Sequence, residues 1–192
     1  MRFAPRWPGG GTNPAYQNWR ERNPRQGAVM LLIVPRESGP AVLLTERHRD
    51  LKHHGGELSL PGGSVDPADH DLCETALRET FEEIGIPRQA IELWGQLDGV
   101  YVPPSNFLVT PFTGQLLDAS ALRAHDPEVR AILEVPLATL LDPNAAKQQT
   151  DTEGRLIEYY DWNGLQVWGA TARILNNLCE ALGQPCPPEH LN

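Results

Sequence analysis

The stretch LPGGSVDPADHDLCETALRETFEEIGI, residues 60–86, decides the fold. Inside it RETFEE, Arg78 to Glu83, sets three glutamates within five positions, shortly after the pair Gly62-Gly63. Like charges on one helix face are mildly destabilising, so something positive is expected beside them. Asp71 to Gly85 reads as a helix. Asp71 with Glu74 resembles a capping box, with Asp in place of Ser or Thr. Gly85 suits a C-terminal stop, and Pro87 opposes continuation.

On a wheel of about 100° per residue, Glu79, Glu82 and Glu83 share an arc of about 100°. Cys73, Ala76, Leu77, Thr80, Phe81 and Ile84 fall on the opposite side. The helix is therefore expected to pack one face on a core and gather three carboxylates on the other. Hard divalent cations want oxygen ligands, retain waters and bridge to phosphates, and such a cation would remove the mutual repulsion. The plain alternative is a solvated acidic face, since Glu is a good helix former. The Gly-Gly pair shifts the weight toward a site: read as a tight turn, it lets backbone approach a ligand closely.

Outward from this segment, GAVMLLIV (27–34) and AVLLTER (41–47) read as strands joined through ESGP. IELWGQLD (91–98), NFLVTPFTGQL (106–116), RLIEYYDW and LQVWG read as further strands. VRAILEVPLATLL reads as a strand leading into a short helix from Pro136 to Leu141. VYVPPSNF (100–107) reads as a stiff loop. ATARILNNLCEAL (170–182) has the apolar spacing of a second helix. Few helices and many strands predict an α/β sandwich around a mixed sheet. Residues 1–25 read as an irregular arm pinned by Trp7, Tyr16 and Trp19 to the body or a second subunit. Residues 26–183 read as one domain, and 184–192 as a fraying tail.

The chain has 192 residues and a net charge of −9. That balance argues against bulk-charge binding of nucleic acid or an anionic membrane, but not against an anionic substrate held by local cations. Three cysteines at wide spacing, Cys73, Cys179 and Cys186, favour neither zinc nor a disulfide framework and point to a reducing cytoplasm. The N-terminus shows no secretory apolar region, and no run approaches the 18 apolar residues of a membrane span. In this acidic chain Arg47, Arg49 and Lys52, with His48, His53 and His54, form a basic cluster. It reads either as capture of phosphates or as a solvated loop. Trp94, Tyr101 and Phe107 read as core, with base stacking the less common alternative. Apolar terminal elements leave room for a homodimer.

Residues 63–86 resemble the Nudix box: a Gly, five residues, Glu, seven residues, then Arg-Glu-apolar-x-Glu-Glu-x-Gly-apolar. Here Gly63 is followed by five residues and Asp69, then eight residues lead to Arg78, Glu79, Thr80, Phe81, Glu82, Glu83, Ile84, Gly85 and Ile86. Asp replaces the first Glu, one residue is added, and Thr80 stands at an apolar position. LLTERHRDLKHHGGELSLPGG (43–63) looks like the segment marking the coenzyme A pyrophosphatase branch, differing at His48, Lys52 and Leu60. VWGATARIL (167–175) is similar to that branch too. The resemblance implies a Nudix-type α/β/α sandwich and hydrolysis of a CoA-like diphosphate in Mg2+ or Mn2+. By resemblance Glu79 and Glu83 are the principal metal ligands, with Glu82 a third ligand or the base. Arg78 orients a neighbouring carboxylate, Arg47 and Lys52 hold phosphates, and Gly62 and Gly63 face the substrate. Alternatives are a broader nucleoside-diphosphate-X hydrolase, acting on ADP-ribose or NADH, and a non-catalytic nucleotide-binding module.

Overall fold

The computed structural model describes residues 16, 18–50, 55–142, 144–150 and 156–183. Strand β1, Arg25–Val34, organises them. Its alternating side chains serve two cores. Ala28, Met30, Leu32 and Val34 face one side, with Leu43, Ala76, Leu77, Ile84 and Ile86. Leu31 and Ile33 face the other, with Val42, Leu44, Ile174, Leu175 and Leu178. A strand buried on both faces needs a helix on each, which explains why GAVMLLIV is a continuous apolar run.

The remaining strands are β2 (Ala41–Arg47), β3 (Leu58–Ser59), β4 (Gly62–Ser64), β5 (Ile91–Gln96), β6 (Val100–Val102), β7 (Phe107–Leu116), β8 (Val129–Pro136), β9 (Ala146–Thr150), β10 (Leu156–Trp162) and β11 (Leu165–Trp168). The helices are α1 (Leu72–Ile84), α2 (Leu137–Leu141) and α3 (Gly169–Ala181). The main sheet runs β3-β2-β1-β7-β5, with β4 on β1, β6 on β7 and β8 on β2. β1 and β7 run parallel, so the sheet is mixed. A smaller sheet runs β11-β10-β9. Helix α1 covers one face of the main sheet and α3 supplies the core on the other. The expected α/β/α sandwich is the observed one.

Helix α1 starts where its sequence says. Asp71 is extended, and its carboxylate accepts from the Glu74 N–H at 2.8 Å. Such a cap is worth about 1 kcal/mol. Glu74 reaches back one residue further than a capping box requires, accepting from the His70 N–H at 2.7 Å. Gly85 ends the helix at φ 73°, in the left-handed region, and its N–H donates to the Phe81 carbonyl at 2.9 Å.

Three local expectations are corrected, and one strand was not anticipated. Gly62-Gly63 is not a tight turn but part of β4, paired antiparallel with Val29 and Ala28. Phe81 is 48% exposed rather than core. It lies about 90° from the centre of the arc spanned by Ala76, Thr80, Ile84 and Leu77, and its ring meets His125 edge-on at 6.0 Å. Residues 100–102, read as loop, form a strand because they pair with β7. β9, AKQQT, carries no apolar alternation and exists because β10 pairs with it.

Candidate active site

Strand β4 and helix α1 bring the glycines and glutamates together. A Cβ built on Gly63 would stand 2.5 Å from the carboxyl carbon and Oε1 of Glu79. Glycine there leaves the space that the carboxylate occupies. Gly62 has φ 153°, and a Cβ would meet the Ala28 carbonyl oxygen at 2.3 Å and Val29 Cα at 2.5 Å. The two glycines should therefore respond differently to alanine. Gly63→Ala meets the end of a flexible side chain, so it should keep the fold but displace Glu79 and cut activity at least about ten-fold. Gly62→Ala meets backbone at a strained φ and should lower the melting temperature markedly. Thermal melts alongside initial rates check both.

Glu83 lies one turn beyond Glu79. Its carboxylate accepts from the Gly62 N–H. Its Oε2 is buried without a hydrogen-bond partner among the described residues. Burial, then the neighbouring charges of Glu79 and Asp126, push the Glu83 carboxyl up to about 8, against Arg47 and the Gly62 N–H. Glu79 is also raised, chiefly by burial, with Arg78 opposing. Two half-buried neighbouring carboxylates held above the usual range are what an added cation would relieve.

Arg78 ties the glutamates to Asp69. Its Nε and Nη2 donate to Asp69 Oδ1 and Oδ2 at 2.9 and 3.0 Å. Nη1 donates to Glu79 Oε1 at 2.9 Å and Glu82 Oε2 at 3.0 Å, and Nη2 to the Ser64 carbonyl at 3.1 Å. Asp69 is 3% exposed. The Arg78 guanidinium holds its carboxyl well below the usual carboxylate range, against burial. The positive partner expected from the charge pattern is thus supplied inside the motif.

Glu82 is the most exposed of the three glutamates. It is 52% exposed and its carboxylate is drawn sideways onto Arg78. Among the described residues no group of three or more His, Cys, Asp or Glu side chains is gathered to enclose a metal ion. Glu79 and Glu83 are the less exposed members of the expected carboxylate face, and Glu82, which shares Arg78 Nη1 with Glu79, is its exposed edge. The i,i+4 spacing of Arg78 and Glu82 favours their ion pair.

Arg47, at the end of β2, forms an ion pair with Glu128. It is near enough to Glu83 to favour that carboxylate's charged form. Its Nε is buried without a partner among the described residues. Arg49 stands 3.9 Å from Glu46, which also pairs with Arg130. Lys52, His53 and His54 lie outside the described residues. Trp94 is 52% exposed, Tyr101 is buried and Phe107 is half-buried.

Residues 123–128 escaped the sequence reading. The N–H groups of Arg123 and His125 donate to the Ile84 and Glu83 carbonyls at 3.2 and 2.9 Å. They satisfy the open end of α1, and the segment carries Asp126 toward Glu83 and Glu128 to Arg47. The Asp126-Pro127 pair marks a turn in the sequence, but nothing there indicates where it docks.

The family description NUDIX domain matches residues 24–158. The chain belongs to the Nudix family. It is 37% identical over 170 residues to proteins described as uncharacterized Nudix hydrolase NudL from Salmonella paratyphi B and Salmonella newport, covering 84% of this chain and 84% of each relative. Two solved structures share the fold. A MutT/nudix family protein from Enterococcus faecalis matches with TM-score 0.59 and 16% identity, covering 90% of this chain and 70% of that one. A NUDIX hydrolase from Alicyclobacillus acidocaldarius matches with TM-score 0.53 and 21% identity, covering 61% and 81%. The Nudix chain is a hydrolase of diphosphate bonds, from a family that generally uses divalent ions such as Mg2+ or Mn2+. Glu79 and Glu83 fit such an ion. They offer oxygen donors, a buried Oε2 without a partner and a glycine-walled space. Among the described residues no helix is long and apolar enough to cross a membrane.

Proposed function

We propose that this Nudix hydrolase cleaves the diphosphate of coenzyme A or a derivative into 3′-phospho-AMP and 4′-phosphopantetheine, in the cytoplasm. The observation that carries diphosphate hydrolysis is the unpartnered Glu83 Oε2 beside Glu79, against the glycines of β4. The narrowing to coenzyme A rests on residues 43–63 and 167–175, which resemble that branch.

The residues divide the work. Glu79 and Glu83 hold Mg2+ or Mn2+, which when bound supplies positive charge against the diphosphate and acidity to water. Glu82, the most exposed of the three, accepts the proton of the attacking water. Arg78 holds Glu79 and Glu82 in place and leaves the substrate alone. Gly62 and Gly63 admit the diphosphate close to backbone. Arg47, released from Glu128, and Lys52 bind its oxygens. A bond forms from water oxygen to one phosphorus. The bridging P–O bond breaks, and its electron pair leaves with the other phosphate.

The test is a panel of coenzyme A, dephospho-coenzyme A, ADP-ribose and NADH with Mg2+, products identified by mass. Coenzyme A is expected to have the highest kcat/KM, by about 10- to 150-fold over dephospho-coenzyme A, the value of one charge-assisted contact. Arg47→Ala should raise KM for all four more than it lowers kcat. A clear preference for ADP-ribose or NADH would make the chain a broader nucleoside-diphosphate-X hydrolase instead.

A further inference from the structure

In the basic loop in which the sequence located phosphate capture, the two described arginines already face carboxylates. Arg47 is paired with Glu128, and Arg49 stands by Glu46. Arginines without a carboxylate partner among the described residues gather elsewhere. Residues 18–25, NWRERNPR, hold three arginines against one acid. They pack on the segment around Tyr101. The Trp19 ring stacks on Tyr101 at 5.6 Å and 18°. The Asn106 side chain donates to the Arg22 carbonyl at 3.2 Å. Arg20 lies over the Trp19 ring at 4.6 Å, Arg25 over Phe107 at 4.2 Å and Arg173 over Tyr16 at 5.0 Å. Arg173 also donates to the Tyr101 carbonyl at 2.6 Å. Every arginine-on-ring contact among the described residues falls in this one region.

The patch lies close to the catalytic glycines. Phe107 pairs with Arg25 across β7 and β1, and β1 pairs with β4. A Cβ on Gly27 would touch both the Gly63 carbonyl oxygen, at 2.8 Å, and the Phe107 ring, at 3.2 Å. Two strand spacings, about 10 Å, separate β4 from β7. That is the reach of a single nucleotide across the end of the sheet.

We propose that Arg20 and Arg25, presented on Trp19 and Phe107, bind the phosphate on the nucleotide half of the substrate. The proposal rests on the diphosphatase reading for the substrate's identity. A guanidinium fork whose charge is not already matched binds a compact dianion well. The rings beneath the guanidinium groups of Arg20 and Arg25 hold their planes in place. In a chain of net charge −9 an extended polyanion would meet acidic surface beyond the patch, whereas one phosphate would not. Arg173, tied to the Tyr101 carbonyl, serves as the post on which the arm is seated. Arg20 and Arg25 are both exposed, and Arg25 keeps Nε and Nη1 for a ligand while its Nη2 donates to the Ser105 carbonyl at 3.2 Å.

The experiment measures binding without turnover. Adenosine 3′,5′-bisphosphate and adenosine 5′-monophosphate are titrated into the full chain in EDTA by calorimetry. The wild type should bind the bisphosphate at least about ten-fold more tightly. Arg20→Ala/Arg25→Ala, with an unchanged melting temperature, should bring the two affinities together. Arg25→Lys, which keeps the charge but loses the fork, should retain part of the gap. Equal affinities in the wild type, or a gap unchanged in the double variant, would overturn the proposal. Hydrolysis of coenzyme A is scored separately. A gap that the double variant erases, in a protein that leaves coenzyme A intact, would sink the hydrolysis reading and leave the binding site standing.

Discussion

Glu83→Gln and Glu79→Gln should each lower kcat/KM in Mg2+ by about 10^3-fold or more, the scale of a metal's contribution to charge stabilisation. Both substitutions keep shape and remove charge. Stability should move the other way. Glu83 is pushed up to about 8 by burial and by Glu79. A carboxyl raised in the folded state stabilises it below the unfolded pKa near 4.5 and loses that contribution as pH rises toward 8. At pH 8 in EDTA the wild type therefore carries an unfavourable buried charge that Glu83→Gln lacks. The variant's melting temperature should exceed the wild type's, by on the order of 2–4 °C for each kcal/mol recovered. At pH 5 the difference should shrink. Adding Mg2+ should raise the wild-type melting temperature and leave the variant's almost unchanged. Full turnover by either variant, or an equal response to Mg2+, would remove Glu79 and Glu83 from the metal site.

The parts of this architecture that were legible in sequence are those set by local chemistry. Asp71, Glu74 and Gly85 mark the ends of α1 because capping involves residues three or four positions apart. β1 and β2 are legible because strands buried on both faces are continuously apolar. The site was half legible. Gly63 and the glutamates announce themselves, yet Glu82 turns onto Arg78, one turn before it, at the exposed edge of the carboxylate face. What stayed hidden depends on distant pairing. β9 is polar and becomes a strand through β10, and β6 does so through β7. Glu128 reaches Arg47 across 81 positions. Arg25 meets Phe107 only because β1 and β7 run parallel. Counting charges located the basic loop. It did not show that Glu128, from elsewhere in the chain, already pairs with Arg47.

Arg78→Ala should lower apparent Mg2+ affinity by about 10- to 100-fold, the usual effect of losing a group that orients a metal ligand. Arg78 makes no contact with substrate in this scheme, so kcat at saturating Mg2+ should fall less than activity at limiting Mg2+. The variant should also be less stable, because Asp69, 3% exposed, would keep its charge and lose both arms of the guanidinium. A buried pair broken on one side is worse than a pair removed. Arg78→Ala/Asp69→Ala should therefore regain melting temperature relative to Arg78→Ala while Mg2+ affinity stays low, since Glu79 and Glu82 remain unheld. Arg78→Lys should recover only part of either property, because an ammonium cannot engage both Asp69 oxygens and two glutamates in one plane. The pH dependence has a definite sign. Asp69 is held below the usual range by Arg78, so its stabilising contribution is full at neutral pH and fades only as acid protonates it. The melting-temperature gap between wild type and Arg78→Ala should be widest at neutral pH and narrow below the ordinary aspartate pKa of about 3.9. A gap that stays constant well below that pH would mean that the lost stability comes from packing of the arginine stem and not from its hold on Asp69.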